Sequence, residues 1–244
     1  MLDLVLGWLT AAIGLLGGQI AGQAVGPAPT QPPTRSVTVA QGKYDYDFFT
    51  AKPDDTVDMV YNYEGRSGTQ TIIAANGCKA AINGGFYDKN YRPLGLVIDE
   101  ARQMSKNRPN GLFNGYLFLR PNGSMDISDR PVYANVRDVI QTGPILVENG
   151  RAVASGESKD PARRMVAAKL QDGQMMFVAV YDSQSRLDGP PLSALAEVVL
   201  AAAEKEGKQV LQAINLDGGS ASAFYNQNVN LKEWQPVGSV WCLK

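Results

Sequence analysis

The chain has 244 residues, 44% of them apolar and 19% charged, with a net charge of −1. That balance fits one packed domain with a tail and argues against nucleic acid as a partner. The chain contains no histidine, which excludes Ser-His and Cys-His nucleophile pairs, HExxH zinc sites and imidazole bases. Any chemistry must run on carboxylates, lysines, arginines, tyrosines, hydroxyls or the backbone.

From Leu4 to Leu16 the chain is almost wholly apolar, and small residues follow to Ala24. This is the pattern of a secretory signal, with Gly22-Gln23-Ala24 as a cleavage site. No basic residue precedes the apolar run, the first being Arg35. An uncleaved anchor and a buried N-terminal helix therefore stay open beside the signal. Residues 1–25 are read as signal peptide or anchor, the Pro-rich stretch 26–35 as a tether, and 36–244 as the folded domain. The expected location is periplasmic, extracellular or anchored at the envelope, with the N-terminal segment as the one membrane contact.

Within the domain, Ser36 to Ala40, Thr56 to Tyr63 and Thr69 to Ala75 have the β-branched and aromatic content of strands. Tyr44 to Phe49 alternates acid and aromatic, a strand pattern whose rings also suit a sugar face. Ala81 to Asp88 reads AINGGFYD, an apolar strand ending in Asn83, Gly84 and Gly85. Leu94 to Asp99 is a further strand. Tyr116 to Leu119 and Ser124 to Ile127 flank a Pro-Asn-Gly turn as a hairpin. Thr142-Gly143-Pro144 precedes a short strand, and residues 152–160 form a polar loop before Arg163 and Arg164. Val166 to Leu170 and Met175 to Tyr181 make a second hairpin. Leu192 to Glu206 carries apolar residues at 192, 195, 196, 199, 200 and 203, one face of a helix that Gly207 ends.

The helix leads into Ala213 to Tyr225, AINLDGGSASAFY, which places Asn215, Asp217, Gly218, Gly219 and Ser220 at a strand end. An acid, two glycines and hydroxyls at one rim supply a carboxylate and bare amide donors together. The two Gly-Gly ends are expected side by side at one sheet edge, lining a shared pocket. Trp234 to Leu243 is the closing strand. The whole reads as an α+β fold, a single strand-rich domain with a mixed sheet and few helices. Cys78 and Cys242 either pair, in an exported protein, or remain two buried thiols. No dedicated metal cluster is evident, and no cofactor is expected.

AINGGFYD, LGLVID, TGPILVENG, the Arg163-Arg164 segment and INLDGGSAS occur in the order and spacing of the phosphodiester glycosidase family, which the chain resembles over about residues 36 to 243. Its bacterial exported branch is the better fit. The resemblance implies hydrolysis of a sugar-1-phosphodiester at the glycosidic C–O bond, with a sugar-phosphate or glycan as the partner. Asp217 would then steady the oxocarbenium-like centre or activate water. Arg164, with Arg163, would hold the phosphate. Asn83, Asn215 and Ser220 would orient sugar hydroxyls, while Gly84, Gly85, Thr142, Gly143, Gly218 and Gly219 shape the pocket. The chain departs from the family pattern at Met165, Ala167 and Ala168, and in reading Ser-Ala-Ser after the second Gly-Gly. The competing readings are a non-catalytic carbohydrate or cell-wall binder on the same fold, a tethered interaction protein, and a metal-dependent enzyme acting at phosphorus.

Overall fold

The computed structural model describes residues 35–244 apart from 41, 53, 109 and 154–159. The signal or anchor at 1–25, the tether up to 34 and the middle of the loop at 152–160 lie outside the described residues. The first half of the domain contains strands β1 (Arg35–Val39), β2 (Gly42–Ala51) and β3 (Val57–Tyr61), helix α1 (Thr69–Asn76), then β4 (Ala80–Asn83), β5 (Val97–Asp99), β6 (Arg102–Ser105), β7 (Gly115–Leu119) and β8 (Met125–Ser128). The second half contains β9 (Asp138–Thr142), β10 (Ile145–Glu148), β11 (Arg151–Ala152), β12 (Arg164–Leu170), β13 (Met175–Asp182), helix α2 (Leu192–Lys205), β14 (Val210–Asn215), β15 (Phe224–Tyr225), β16 (Asn230–Leu231) and β17 (Ser239–Leu243). The architecture is mostly β.

The strands form a seven-stranded sheet in the order β1-β2-β13-β12-β14-β10-β11, and two five-stranded sheets, β16-β15-β4-β17-β3 and β6-β5-β9-β7-β8. Among the described residues every ladder between named strands is antiparallel, so the expected mixed sheet is corrected. β13 and β14 flank α2 in the chain. The two strands do run in the same direction, but β12 lies between them and pairs antiparallel with both.

Alternation sets the layers. Along β13, Met175, Phe177, Ala179 and Tyr181 face a central core shared by all three sheets. Met176, Val178 and Val180 face the other way, onto Leu195, Val199 and Ala202 of α2. Both faces of the sheet are covered, so β12 and β13 read as continuous apolar runs. A second outer layer packs α1 against β4 and β17 through Ile72, Ile73, Ala81 and Val240.

Two expected elements change. Thr69 to Ala75 is helical rather than extended: Thr69, Ile72 and Ile73 share the buried face at three-to-four-residue spacing, and Gly77 closes the helix in the left-handed region at φ 66°. The Thr69 N–H at the helix start donates to Glu233 Oε1 at 2.6 Å, an acid where the helix dipole favours one. The closing strand begins at Ser239 rather than Trp234, because Trp234 and Gln235 donate their N–H groups to Ser220 O instead of to a ladder. Cys78, just before β4, is disulfide-bonded to Cys242 in β17, with Cα atoms 5.3 Å apart.

Candidate active site

The two Gly-Gly ends meet, though not on one sheet edge as expected. β14 belongs to the seven-stranded sheet and β4 to a five-stranded one, and their C-terminal ends are joined across the gap. The Asp217 N–H donates to Gly84 O at 3.0 Å. Asn83 Nδ2 donates to Asp217 O at 2.9 Å, and the Ala223 N–H donates to Asn83 Oδ1 at 2.8 Å. A side chain at Gly84 would overlap Ser239 Oγ, so this crossing requires a glycine.

Beyond Asn215 the chain runs alongside the start of β12. Leu216 N–H donates to Met165 O at 2.8 Å and Gly219 N–H to Arg163 O at 2.9 Å, which holds Asp217 and Gly218 beside Arg164. The two glycines here serve different needs. A Cβ on Gly218 would lie 2.8 Å from Arg163 O and 3.8 Å from Arg164 Cδ, too close for the first. Gly219 sits at φ +60°, and a side chain there would meet open space, so its backbone lies open to a ligand. Ser220, on the exposed turn, accepts from Trp234 and Gln235 through its carbonyl.

Asp217 is half-buried. Its Oδ1 accepts the Gly218 N–H at 2.9 Å, and no described cation pairs with it. Burial pushes its carboxyl up to about 8, against a smaller lowering by the Gly218 N–H. At neutral pH Asp217 is therefore mostly a protonated acid. Two tyrosines sense its charge. Tyr63 is raised by burial and then by Asp217, and Tyr87 is pushed up to about 12 by the same two causes in the same order. Tyr87 Oη donates to Pro236 O at 2.7 Å, and a Cβ on Gly85 would lie 3.1 Å from Tyr63 Oη.

The adjacent arginines part company. Arg163 is 2% exposed. Its Nε donates to Ser222 Oγ at 2.7 Å, its Nη1 to Arg186 O at 3.2 Å, and its Nη2 to Lys232 O at 2.8 Å and to Ser222 O. Burial lowers its pKa to about 10, which leaves it charged. Arg163 is thus a clasp for the 222 and 232 segments, and its expected role on phosphate is corrected: the side chain is buried and four of its N–H donors already have acceptors. Arg164 is half-buried, donating from Nε to Pro190 O at 3.1 Å and from Nη2 to Asp160 O at 2.8 Å. A guanidinium has five donors, so these two bonds anchor the head without exhausting it.

Three more of the expected ligands are also internal. Asn83 is 1% exposed and its amide bridges backbone groups, so it positions Asp217 and does not reach a sugar. Thr142 Oγ1 donates to Asn215 O at 2.8 Å, and Asn215 Nδ2 donates to Gly143 O at 3.0 Å, next to the cis Gly143–Pro144 bond. Both side chains are buried and bolt the floor together. Asn215 Oδ1 is buried without a hydrogen-bond partner among the described residues. The sequence reading left Tyr63, Tyr87 and Ser222 unassigned. Tyr87 and Ser222 stand inside the two glycine motifs, so position alone pointed to them, whereas Tyr63 had no local signal.

The profile of the phosphodiester glycosidase family matches residues 76–244. The chain belongs to this family. In fold it is similar to the catalytic domain of zebrafish N-acetylglucosamine-1-phosphodiester alpha-N-acetylglucosaminidase, which that structure shows auto-inhibited by its pro-peptide. The TM-score is 0.64 at 15% identity, over 86% of this chain and 81% of the other. A hypothetical protein from Synechocystis has a similar fold, with a TM-score of 0.59 at 15% identity over 86% of this chain and 61% of that one. In sequence, the chain is 35% identical over 81 residues to Escherichia coli YigE, covering 29% of this chain and 31% of YigE; the match thus spans under a third of that relative. Within the phosphodiester glycosidase family match lie both Gly-Gly ends, Arg163, Arg164 and the disulfide.

Proposed function

We propose that the protein hydrolyses a sugar-1-phosphodiester at the glycosidic C–O bond, acting on an envelope or extracellular glycan in an exported setting. The observation that carries this reading is the setting of Asp217: a carboxyl with no cationic partner among the described residues, on a glycine turn beside Arg164, in a domain of the phosphodiester glycosidase family. The departing group is a phosphate monoester. Arg164 holds its oxygens through charge-assisted bonds. As the C1–O bond breaks, Asp217 transfers its proton to the phosphate oxygen that leaves. The carboxylate so formed faces the oxocarbenium-like centre and stabilises it. Water then adds to C1 and gives its proton to Asp217, which restores the starting state. One carboxyl thus fills both roles expected of it, in sequence.

The full chain incubated with a panel of sugar-1-phosphodiesters in water labelled with heavy oxygen tests this reading. Label in the released sugar, lost in Asp217→Ala, supports it. Label in the phosphate means attack at phosphorus and overturns it.

A further inference from the structure

A cleft of 680 Å³ opens beside the candidate site, and its chemistry differs from that of the Asp217 turn. Four cations line it: Arg66, Arg92, Lys106 and Arg108. Glu64 is the single acidic residue in the lining, so the walls carry a net +3 on a chain whose overall charge is −1. No described carboxylate forms an ion pair with any of the four. Asp88 lies within electrostatic reach of Arg92 and Arg108, but its Oδ1 accepts the N–H groups of Asn90 and Arg92 and folds the loop that presents Arg92.

The cleft is connected to Asp217 by aromatic rings. Arg66 lies over the Tyr91 ring at 4.2 Å, and Tyr91 stacks on Tyr87 at 4.9 Å. Tyr87 and Tyr63 both sense the Asp217 charge, and Tyr63 and Tyr91 line the cleft. Arg66 and Tyr91 hold positive φ, at 49° and 61°, a conformation that costs a residue with a side chain. A neighbouring cleft of 500 Å³ shares the Tyr61, Glu64 and Met104 wall, but its lining is acidic on balance, with Asp58, Asp99, Glu100 and Asp138 beside Glu64 against Arg102 and Arg137. A polyanion entering the cationic cleft is repelled on that side.

We propose that the cationic cleft is a second anion subsite, which binds the phosphate of the repeat next to the one being cleaved. The substrate class is then a polymer of sugar phosphodiesters rather than a single sugar phosphate. This inference rests on the hydrolase reading above. Guanidinium groups grip phosphate through paired N–H bonds, and the Tyr87–Tyr91 stack holds Arg66 in place along the cleft wall. A volume of 680 Å³ is within the range of sites for such a unit. The cations are exposed, so the attraction is screened by salt.

The test uses the full chain, a triple variant Arg92→Ala/Lys106→Ala/Arg108→Ala, and a charge-preserving Arg92→Lys/Lys106→Arg/Arg108→Lys. Two substrates are compared, a methyl sugar-1-phosphodiester and a three-repeat oligomer of the same unit. The expected result is a KM about tenfold lower for the oligomer, equivalent to about 1.4 kcal/mol. That ratio should fall to near one in the alanine variant, survive in the charge-preserving one, and shrink with added salt. Equal KM values for the two substrates, or a ratio the alanine variant leaves intact, overturns the subsite. If neither substrate turns over, calorimetry with inorganic tripolyphosphate decides separately. Binding lost in the alanine variant keeps the subsite while the hydrolase reading fails, and binding absent or unaffected by the variant overturns the subsite.

Discussion

Arg163 and Arg164 are neighbours in sequence, yet they belong to different parts of the molecule. Arg163 points into the protein and joins Asn83, Thr142 and Asn215 in a buried frame that grips backbone carbonyls and amides. Arg164 and Asp217 stay at the half-buried rim, where the glycines leave the backbone bare. Both sets came from the same polar motifs. The frame is held by hydrogen bonds among its own groups and the backbone, with Asn215 Oδ1 left without a partner among the described residues. At the rim, Asp217 lacks a cationic partner among the described residues, which suits it to the proposed chemistry. Of a motif rich in Asn, Arg, Ser and Gly, about half holds the other half in place.

The largest effect expected from breaking this division is at Asp217. Asp217→Asn should lower kcat by about 10²–10⁴ while leaving the fold at least as stable. The folded pKa of about 8 lies above the ordinary carboxylate value of 3.8. Between these the native state keeps a proton that the unfolded chain has released, so wild-type stability falls as pH rises from about 4 to 8. The Asn variant should lose that slope and melt higher than wild type at pH 7, as read by thermal denaturation across pH.

The two arginines sharpen the contrast. Arg163→Met should cost about 3 kcal/mol or more in denaturant unfolding, because the carbonyls of Ser222, Lys232 and Arg186 lose their donors. Arg164→Met should cost about 1 kcal/mol and lower turnover by about 10²–10³. A reversal of that order would break the division between frame and rim. Opening the disulfide with Cys242→Ser belongs to the frame alone: a stability loss of roughly 2–5 kcal/mol with kcat retained. The smallest effect is at the rim, where Gly219→Ala should cost about 1 kcal/mol for its positive φ and raise KM by crowding the open backbone.

Much of this was legible in the sequence where local pattern decides. The α2 periodicity and both hairpins follow from short-range rules. The failures share a cause in long-range partners. Nothing near Arg163 announces Lys232, whose carbonyl fixes its side chain from 69 positions away. Thr69 to Ala75 reads as a strand by composition, and it becomes a helix because Ile72 and Ile73 pack against β17 residues. The sheet reads as mixed until β12 is placed between β13 and β14. The cationic cleft gathers four residues between positions 66 and 108, none of which stands in a motif.

The most direct measurement is the titration of the Asp217 carboxyl itself, by carbon NMR on protein labelled at the Asp side chains, with Asp217→Asn identifying the resonance. A midpoint near 8 is predicted, with the neighbouring rings of Tyr63 and Tyr87 shifting in step. A midpoint near 4, the ordinary carboxylate range, would mean that Asp217 is ionised at neutral pH and would contradict its role as the proton donor.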